Sequence, residues 1–238
     1  TIGSAKCTYG TGSFLLVHTG DQPARSTHGL LTTVALAHPD GRRDYALEGS
    51  VFVTGAAIQW LRDGLGIIDH AAQTQDLAGS VPDSGGVVFV PALTGLGAPE
   101  WDPTARGLII GITRATTKAH LARAALDAIA HQVCDVVELM SEDGGVPLRR
   151  LAIDGGAAAN DLLCQLQADA VGLTVDRSAE LQTTGLGAAF LAGLGIGLWP
   201  SFEALASTRH SSGIFEPGQP DPQARARWRE AVSRSRGW

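Results

Sequence analysis

Within a few residues of its start the chain settles into alternating and continuous apolar sequence of β type. Lys6–Thr11 and Ser13–Thr19 read as two short strands joined tightly at Gly12. Leu30–Ala37 and Arg43–Leu47 flank His38-Pro39-Asp40-Gly41, a turn signal between alternating segments. A meander of antiparallel strands is the simplest reading.

The period changes at Ser50. Val51, Gly55, Ile58, Arg62 and Leu65 recur at helical spacing, with Ser50 as the expected N-cap and Gly64 or Gly66 as the stop. A weaker helical pattern covers Asp69–Ala78, and the run Gly-Gly-Val-Val-Phe-Val-Pro-Ala-Leu from Gly85 predicts a strand covered on both faces. Leu108–Ile112 is the next expected strand. Thr116-Thr117 then opens a long helix whose apolar face is Leu121, Ala125, Ile129, Val133, Val136 and Met140, and Asp143-Gly144-Gly145 ends it.

Strand and helix alternate from there: Arg150–Asp154 extended, Gly155-Gly156 a turn, Asn160–Val171 helical, Thr174–Asp176 extended. The apolar stretch Gly185–Pro200 is too short and too rich in glycine to cross about 30 Å of hydrocarbon. It is expected as a buried helix starting near Thr184. The charged segment Asp221–Trp238 predicts a surface helix that packs through a few apolar groups, its arginines forming a solvated face. The pattern as a whole predicts an α/β domain, a mixed sheet flanked by helices.

Composition narrows the function. With 44% hydrophobic and only 5% aromatic residues, the core must be aliphatic. A formal charge of −6 with interspersed signs offers no basic face for nucleic acid. Cys7, Cys134 and Cys164 lack metal-like spacing and read as reduced core thiols of a cytoplasmic protein. No cationic segment leads into an apolar signal core, and the abrupt opening is what a piece of a longer chain would show. The nucleophile elbow GxSxG, the zinc motif HExxH, the dinucleotide fingerprint and the GxxxxGK[ST] phosphate loop are all missing.

The candidate chemistry lies in three glycine-centred positions. In Gly10-Thr11-Gly12, backbone N–H groups without Cβ interference can converge on an anion, and the Thr11 hydroxyl adds a donor. Gly155-Gly156 follows a strand and precedes a helix, where α/β proteins meet ligands, and Asn160 lies close enough to share that site. Gly55 sits within a helix with Gln59 on its face, as close approach of a ligand or of a packed neighbour would require. Each also has an ordinary reading, as a hairpin, a tight turn or a packing contact.

At these residues the chain resembles the C-terminal domain of the glycerol kinases, within the carbohydrate kinase family. The resemblance covers essentially the whole chain. It is carried by TYGTGSFLLVHTG, by YALEGSVFVTGAAIQWLRD, by the long segment from VPALTGLGAPEWD through Gln132, and by IDGGAAANDLLCQLQAD with TTGLGAAFLAG. The segment Gly107–Asp127 matches a family-wide signature, and GLGAPEWD at 95–102 is the more discriminating stretch.

The resemblance implies a ribonuclease H-like, actin-like ATPase fold. It further implies that residues 1–238 are the C-terminal nucleotide-binding domain of a two-domain kinase that phosphorylates glycerol with ATP and Mg²⁺. Gly10 and Thr11 are expected at the terminal phosphates, Gly55 and Gln59 at the nucleotide sugar or base, Gly156 and Asn160 on the adenosine side. Phe14 is expected to line the polyol pocket; its bland alternative is a core strand residue. The implied catalytic base and most glycerol contacts belong to a preceding substrate domain that is not in this chain, so the chain alone is expected to be inactive. Asp154, Asp102 and Glu48 are not assigned as the base. A cytoplasmic homo-oligomer with no nucleic-acid partner and no membrane insertion completes the expectation. Another polyol or ketose kinase, or a non-catalytic actin-like nucleotide-binding module, remains the alternative.

Overall fold

A computed structural model describes residues 1–237. The opening meander consists of β1 (Ala5–Tyr9), β2 (Ser13–Gly20), β3 (Leu31–Ala37) and β4 (Arg43–Val51). Two short helices follow, α1 (Gly55–Asp63) and α2 (Gln73–Gly79), then β5 (Val88–Val90) and β6 (Leu108–Ile110). The long helix α3 (Lys118–Gly144) leads to β7 (Arg150–Asp154), α4 (Asp161–Val171), β8 (Thr174–Ser178) and α5 (Thr183–Gly195). The short α6 (Phe202–Ala206), β9 (Ser211–Phe215) and α7 (Pro222–Ser235) complete the chain.

Seven strands form one mixed sheet in the order β3-β4-β2-β1-β7-β8-β9. β1, β7 and β8 run parallel to one another, while β2, β3, β4 and β9 are joined antiparallel. Strand alternation sends Ala5, Cys7, Tyr9, Leu15, Val17, Leu47, Val51, Leu151, Ile153 and Val175 into the core. Helix α3 covers that face. Its buried stripe includes Ala122, Leu126, Ile129, Val133, Val136 and Met140, and a Cβ on Gly49 of β4 would collide with Val136. Glycine there lets the helix sit close on the sheet. A capping box between Thr117 and His120 starts α3, and Gly145 in the left-handed region, φ 61°, ends it.

The expected mixed sheet flanked by helices is observed, with local corrections. Helix α1 does not begin at Ser50: β4 continues to Val51 because Ser50 and Val51 pair with Phe14 and Ser13. Thr54 is the residue that precedes the helix, and Gly55 is its first residue rather than an interior one. The strand foreseen to Thr11 stops at Tyr9, since Gly10–Gly12 form the turn. β5 is three residues long and pairs only with β6, in a small separate sheet beneath α7. The helix expected to be buried near Thr184 forms as α5, but only Gly193 in it is buried.

Helix α7 packs more deeply than its composition suggests. Trp228 is fully buried and donates through its indole nitrogen to Asp135. Arg225 is largely buried too, paired with Asp135 and Glu138 of α3, so this arginine leaves the solvated face. The expectation for Trp238 lies outside the described residues.

Candidate functional site

The turn between β1 and β2 is held open by the start of α1. The Gly10 carbonyl accepts from the Gly55 amide at 3.0 Å, and the Thr11 carbonyl accepts from the amides of Thr54 and Ala56 at 2.9 and 3.0 Å. A Cβ on Gly55 would stand 2.5 Å from the Gly10 carbonyl oxygen, so a side chain there would push the helix off the turn. Packing against backbone therefore accounts for this glycine. Beneath the turn, the buried hydroxyls of Ser13 and Thr54 bond at 2.8 Å. Once these bonds are made, the Thr11 amide and hydroxyl have no protein partner among the described residues, and the side chain is exposed.

The second turn lies one strand away. β7 pairs in parallel with β1, with Asp154 opposite Thr8, so both turns leave the same end of the sheet. That is where open α/β sheets bind ligands. Gly155 adopts φ +88°, and a Cβ on it would collide with the backbone of Tyr9. Gly156 is different: a Cβ there meets nothing within 4 Å. Residues Gly156–Ala159 form a 3-10 turn whose first internal bond runs from the Ala158 amide to the Gly155 carbonyl, which leaves earlier amides at the opening free for a ligand. Asn160 caps α4, its Oδ1 accepting from the Leu163 amide at 2.9 Å. Gln75 of α2 accepts from the Asp161 amide at 2.7 Å and ties a third element to this corner.

Gly10, Thr11, Gly55, Gln59, Gly156 and Asn160 all line one cavity of about 520 Å³. Its remaining wall is largely apolar, from Tyr9, Ile58, Leu126 and Leu163, with Gln75 and Arg62 as further polar groups. A few converging polar groups over an apolar wall, in a volume of this size, are the features that ligand sites share. Arg62 is the one cation on the lining; its guanidinium makes two bonds to the neighbouring Asp63, and it remains partly exposed. Gly55, Gln59 and Arg62 follow i, i+4, i+7 spacing, so the sequence carried a signal for Arg62. Nothing in sequence spacing points to Gln75 or Leu126, which come from other elements.

Tyr9 anchors the site. Its buried hydroxyl donates to Gln167 Oε1 at 2.6 Å, and Gln167 Nε2 donates to the Ala130 carbonyl at 3.2 Å, joining β1, α4 and α3. Phe14 does not line the cavity. It points to the sheet face opposite Leu15 and is 51% exposed, so it is not a core residue either.

Burial pushes the thiols of Cys7 and Cys134 up to about 12 and that of Cys164 up to about 11, and all three are free. They pack the core as neutral groups. A second cavity, of about 580 Å³, lies between α3, α7 and the segment before β5, and none of the six residues reaches it. Two of its three arginines are already committed, Arg123 to Asp127 and the Pro82 carbonyl and Arg225 to Asp135 and Glu138. Among the described residues no group of three or more His, Cys, Asp or Glu side chains could hold a metal ion.

Residues 5–196 match the sequence profile of the FGGY family of carbohydrate kinases, C-terminal domain. The chain is 57% identical to a glycerol kinase of Aromatoleum aromaticum over 99% of its own length and 48% of that protein. It is 54% identical to glycerol kinase 2 of Thermotoga maritima with the same coverage. The chain thus spans about half the length of the curated relatives it matches. Among solved structures, Plasmodium falciparum glycerol kinase with ADP superposes with a TM-score of 0.90 at 37% identity, covering 98% of this chain and 47% of that one. A xylulose kinase from Lactobacillus acidophilus, at 24% identity over 98% of this chain and 46% of its own, shares the fold with a TM-score of 0.78.

Proposed function

The chain belongs to the FGGY family of carbohydrate kinases, and on that premise we propose that it is the ATP-binding half of an enzyme that phosphorylates glycerol. The full protein would move the terminal phosphoryl group of ATP to a terminal hydroxyl of glycerol, giving glycerol 3-phosphate and ADP. The observation that carries this reading is the convergence of six residues from three glycine-centred positions on one cavity at the end of parallel strands. Identities of 52–57% to glycerol kinases support glycerol over other acceptors.

In this reading the free Thr11 amide and hydroxyl, with Gly10, face the terminal phosphates. Gln59 on α1 meets the sugar or base. The 3-10 turn from Gly156 and the Asn160 side-chain amide hold the adenosine side, against the apolar wall of Ile58, Leu126 and Leu163. Phosphoryl transfer is driven mainly by positioning and charge stabilisation. A nucleotide fits this lining; among the described residues no group of three or more His, Cys, Asp or Glu side chains stands as a ready-made cage for Mg²⁺. We read Mg²⁺ as arriving with ATP and derive no step through it.

The proton acceptor is read as belonging to the other half of the protein. Asp154 Oδ2 accepts from Thr183 while its buried Oδ1 has no partner among the described residues, and Asp102 Oδ1 accepts from the Thr104 hydroxyl and the amides of Thr104 and Ala105; neither is assigned as the base. The exposed ring of Phe14 would supply an apolar wall against the carbon chain of glycerol. Residues 1–238 would then be the C-terminal nucleotide-binding domain, with a helical tail from Asp221. The free buried thiols support a cytoplasmic setting for the homo-oligomer that the resemblance implies, and among the described residues no helix is long and apolar enough to cross a membrane.

The test is phosphorylation by the full-length protein of glycerol and of several pentuloses, followed by coupled ADP detection. Preference for glycerol is expected. A preference for a pentulose would reject glycerol as the acceptor, and failure to bind ATP would reject the whole reading.

A further inference from the structure

Helix α4 starts at the rim of the 520 Å³ cavity, and its first amides are met by side-chain amides from two different elements. Asn160 acts locally, its Oδ1 accepting from the Leu163 amide at 2.9 Å. The Asp161 amide is met from outside by Gln75 of α2, 86 positions earlier, whose Oε1 accepts at 2.7 Å. A helix start leaves these amides without partners inside the helix, so a cap delivered by another element also fixes where the helix begins relative to that element. Among the described residues this is the one hydrogen bond between α2 and α4. Helix α2 is itself anchored, since Thr74 and Ala78 on either side of Gln75 are buried and Leu77 packs on the core.

We propose that Gln75 is a positioning residue for nucleotide binding, holding the Gly156–Asn160 turn against the cavity by capping Asp161; this rests on the reading of the cavity as the nucleotide site. Asp161 directly follows Asn160. The Asn160 oxygen is committed to Leu163, so its Nδ2 is the atom left to face a ligand, and a shift in the first turn of α4 moves that group. Only the oxygen of Gln75 serves the cap; its Nε2 has no partner among the described residues. The turn has a second, independent tie: Arg177 donates to the Ala158 carbonyl at 3.1 Å and to the Asp161 carboxylate at 2.5 Å. Loss of the Gln75 cap therefore loosens the start of α4 without releasing the turn, which places the effect in ligand affinity and not in folding.

The test titrates ATP calorimetrically into the full-length protein and its variants. Gln75→Leu removes the acceptor at similar bulk, whereas Gln75→Glu keeps an oxygen for the Asp161 amide and places negative charge at a helix start, where it is favoured. ATP affinity is expected to fall about three- to tenfold in Gln75→Leu and to return to within about twofold of the parent in Gln75→Glu, the scale of one exposed hydrogen bond. The melting temperature, kcat at saturating ATP and KM for glycerol should stay as in the parent. Amide hydrogens of the peptide spanning 156–163 should exchange faster in Gln75→Leu. Equal ATP affinity in the parent and Gln75→Leu would overturn the proposal. Affinity as weak in Gln75→Glu as in Gln75→Leu would overturn it too, by showing that the side-chain nitrogen meets the ligand directly. If Gln75→Leu fails to fold, Gln75→Ala replaces it. A parent protein that binds no ATP would instead reject the reading of the cavity, and the role of Gln75 with it.

Discussion

Gly155 lies against the backbone of Tyr9 so closely that any Cβ on it would collide with the Tyr9 carbonyl, while its neighbour Gly156 faces open space. The pair separates a glycine the fold needs from one that a ligand would need. Gly155→Ala combines that collision with a left-handed φ and is expected to cost about 2–4 kcal/mol of stability, read by denaturant unfolding. Gly156→Ala should leave stability within about 1 kcal/mol and weaken ATP binding about tenfold, because the methyl enters the cavity. Unchanged ATP affinity in Gly156→Ala would place the nucleotide elsewhere.

Thr11→Val keeps a β-branched shape and the carbonyl that clamps α1, and it removes a hydroxyl with no partner inside the chain. Stability should hardly change. If the hydroxyl meets the terminal phosphates, kcat/KM for ATP in the full-length enzyme should fall about five- to 150-fold, corresponding to about 1–3 kcal/mol of transition-state stabilisation. Thr11→Ser should restore most of it. An unchanged kcat/KM in a folded Thr11→Val protein would reduce Thr11 to a hairpin residue.

Tyr9→Phe tests the buried anchor. Removing the hydroxyl strands Gln167 Oε1 in a fully buried position, with an expected loss of about 1–3 kcal/mol in urea unfolding. Pairing it with Gln167→Leu should recover part of the loss, since the unsatisfied acceptor is then gone. No recovery would mean that the cost comes from repacking.

The His28–Asp143 ion pair, at 2.9 Å, joins the loop before β3 to the end of α3. Burial works to raise the Asp143 pKa, but bonds from Ser26, His28 and the Thr27 amide outweigh it and hold the carboxyl at about 2. His28 is raised, chiefly by its bond to Asp143. The depressed acid contributes stability fully above its unfolded pKa of about 4, lost as pH falls toward 2. The raised histidine contributes fully below about 6.5, lost as pH climbs through its folded pKa. The difference in Tm between native protein and His28→Gln should therefore be largest near pH 4–6.5 and shrink at alkaline pH. A difference that grows with alkaline pH would contradict the pairing.

Much of the fold was legible because local physics dictates it. Alternation set the faces of β1, β2 and β7, the long apolar stripe and Gly145 marked out α3, and Asn160 announced the start of α4. The start of α1 was not legible from helical spacing alone. Val51 fits the helical period, yet its backbone pairs with Ser13, a contact between positions far apart in sequence.

The candidate site divides along the same line. The glycines at positions 10, 55, 155 and 156 and the nearness of Asn160 to the second turn could be read from the chain, since each is a matter of spacing over a few residues. That they face a single cavity, with Leu126 and Gln75 completing its wall, was decided by the parallel pairing of β1 with β7 and by the packing of α2 and α3 beside them. The exposure of α5 was likewise invisible to composition: an uncharged helix reads as buried, and only the tertiary structure shows that the elements described here leave most of its surface uncovered. Local propensity determines where elements form, but which surfaces are covered depends on contacts between distant parts of the chain, and no window of sequence contains both partners.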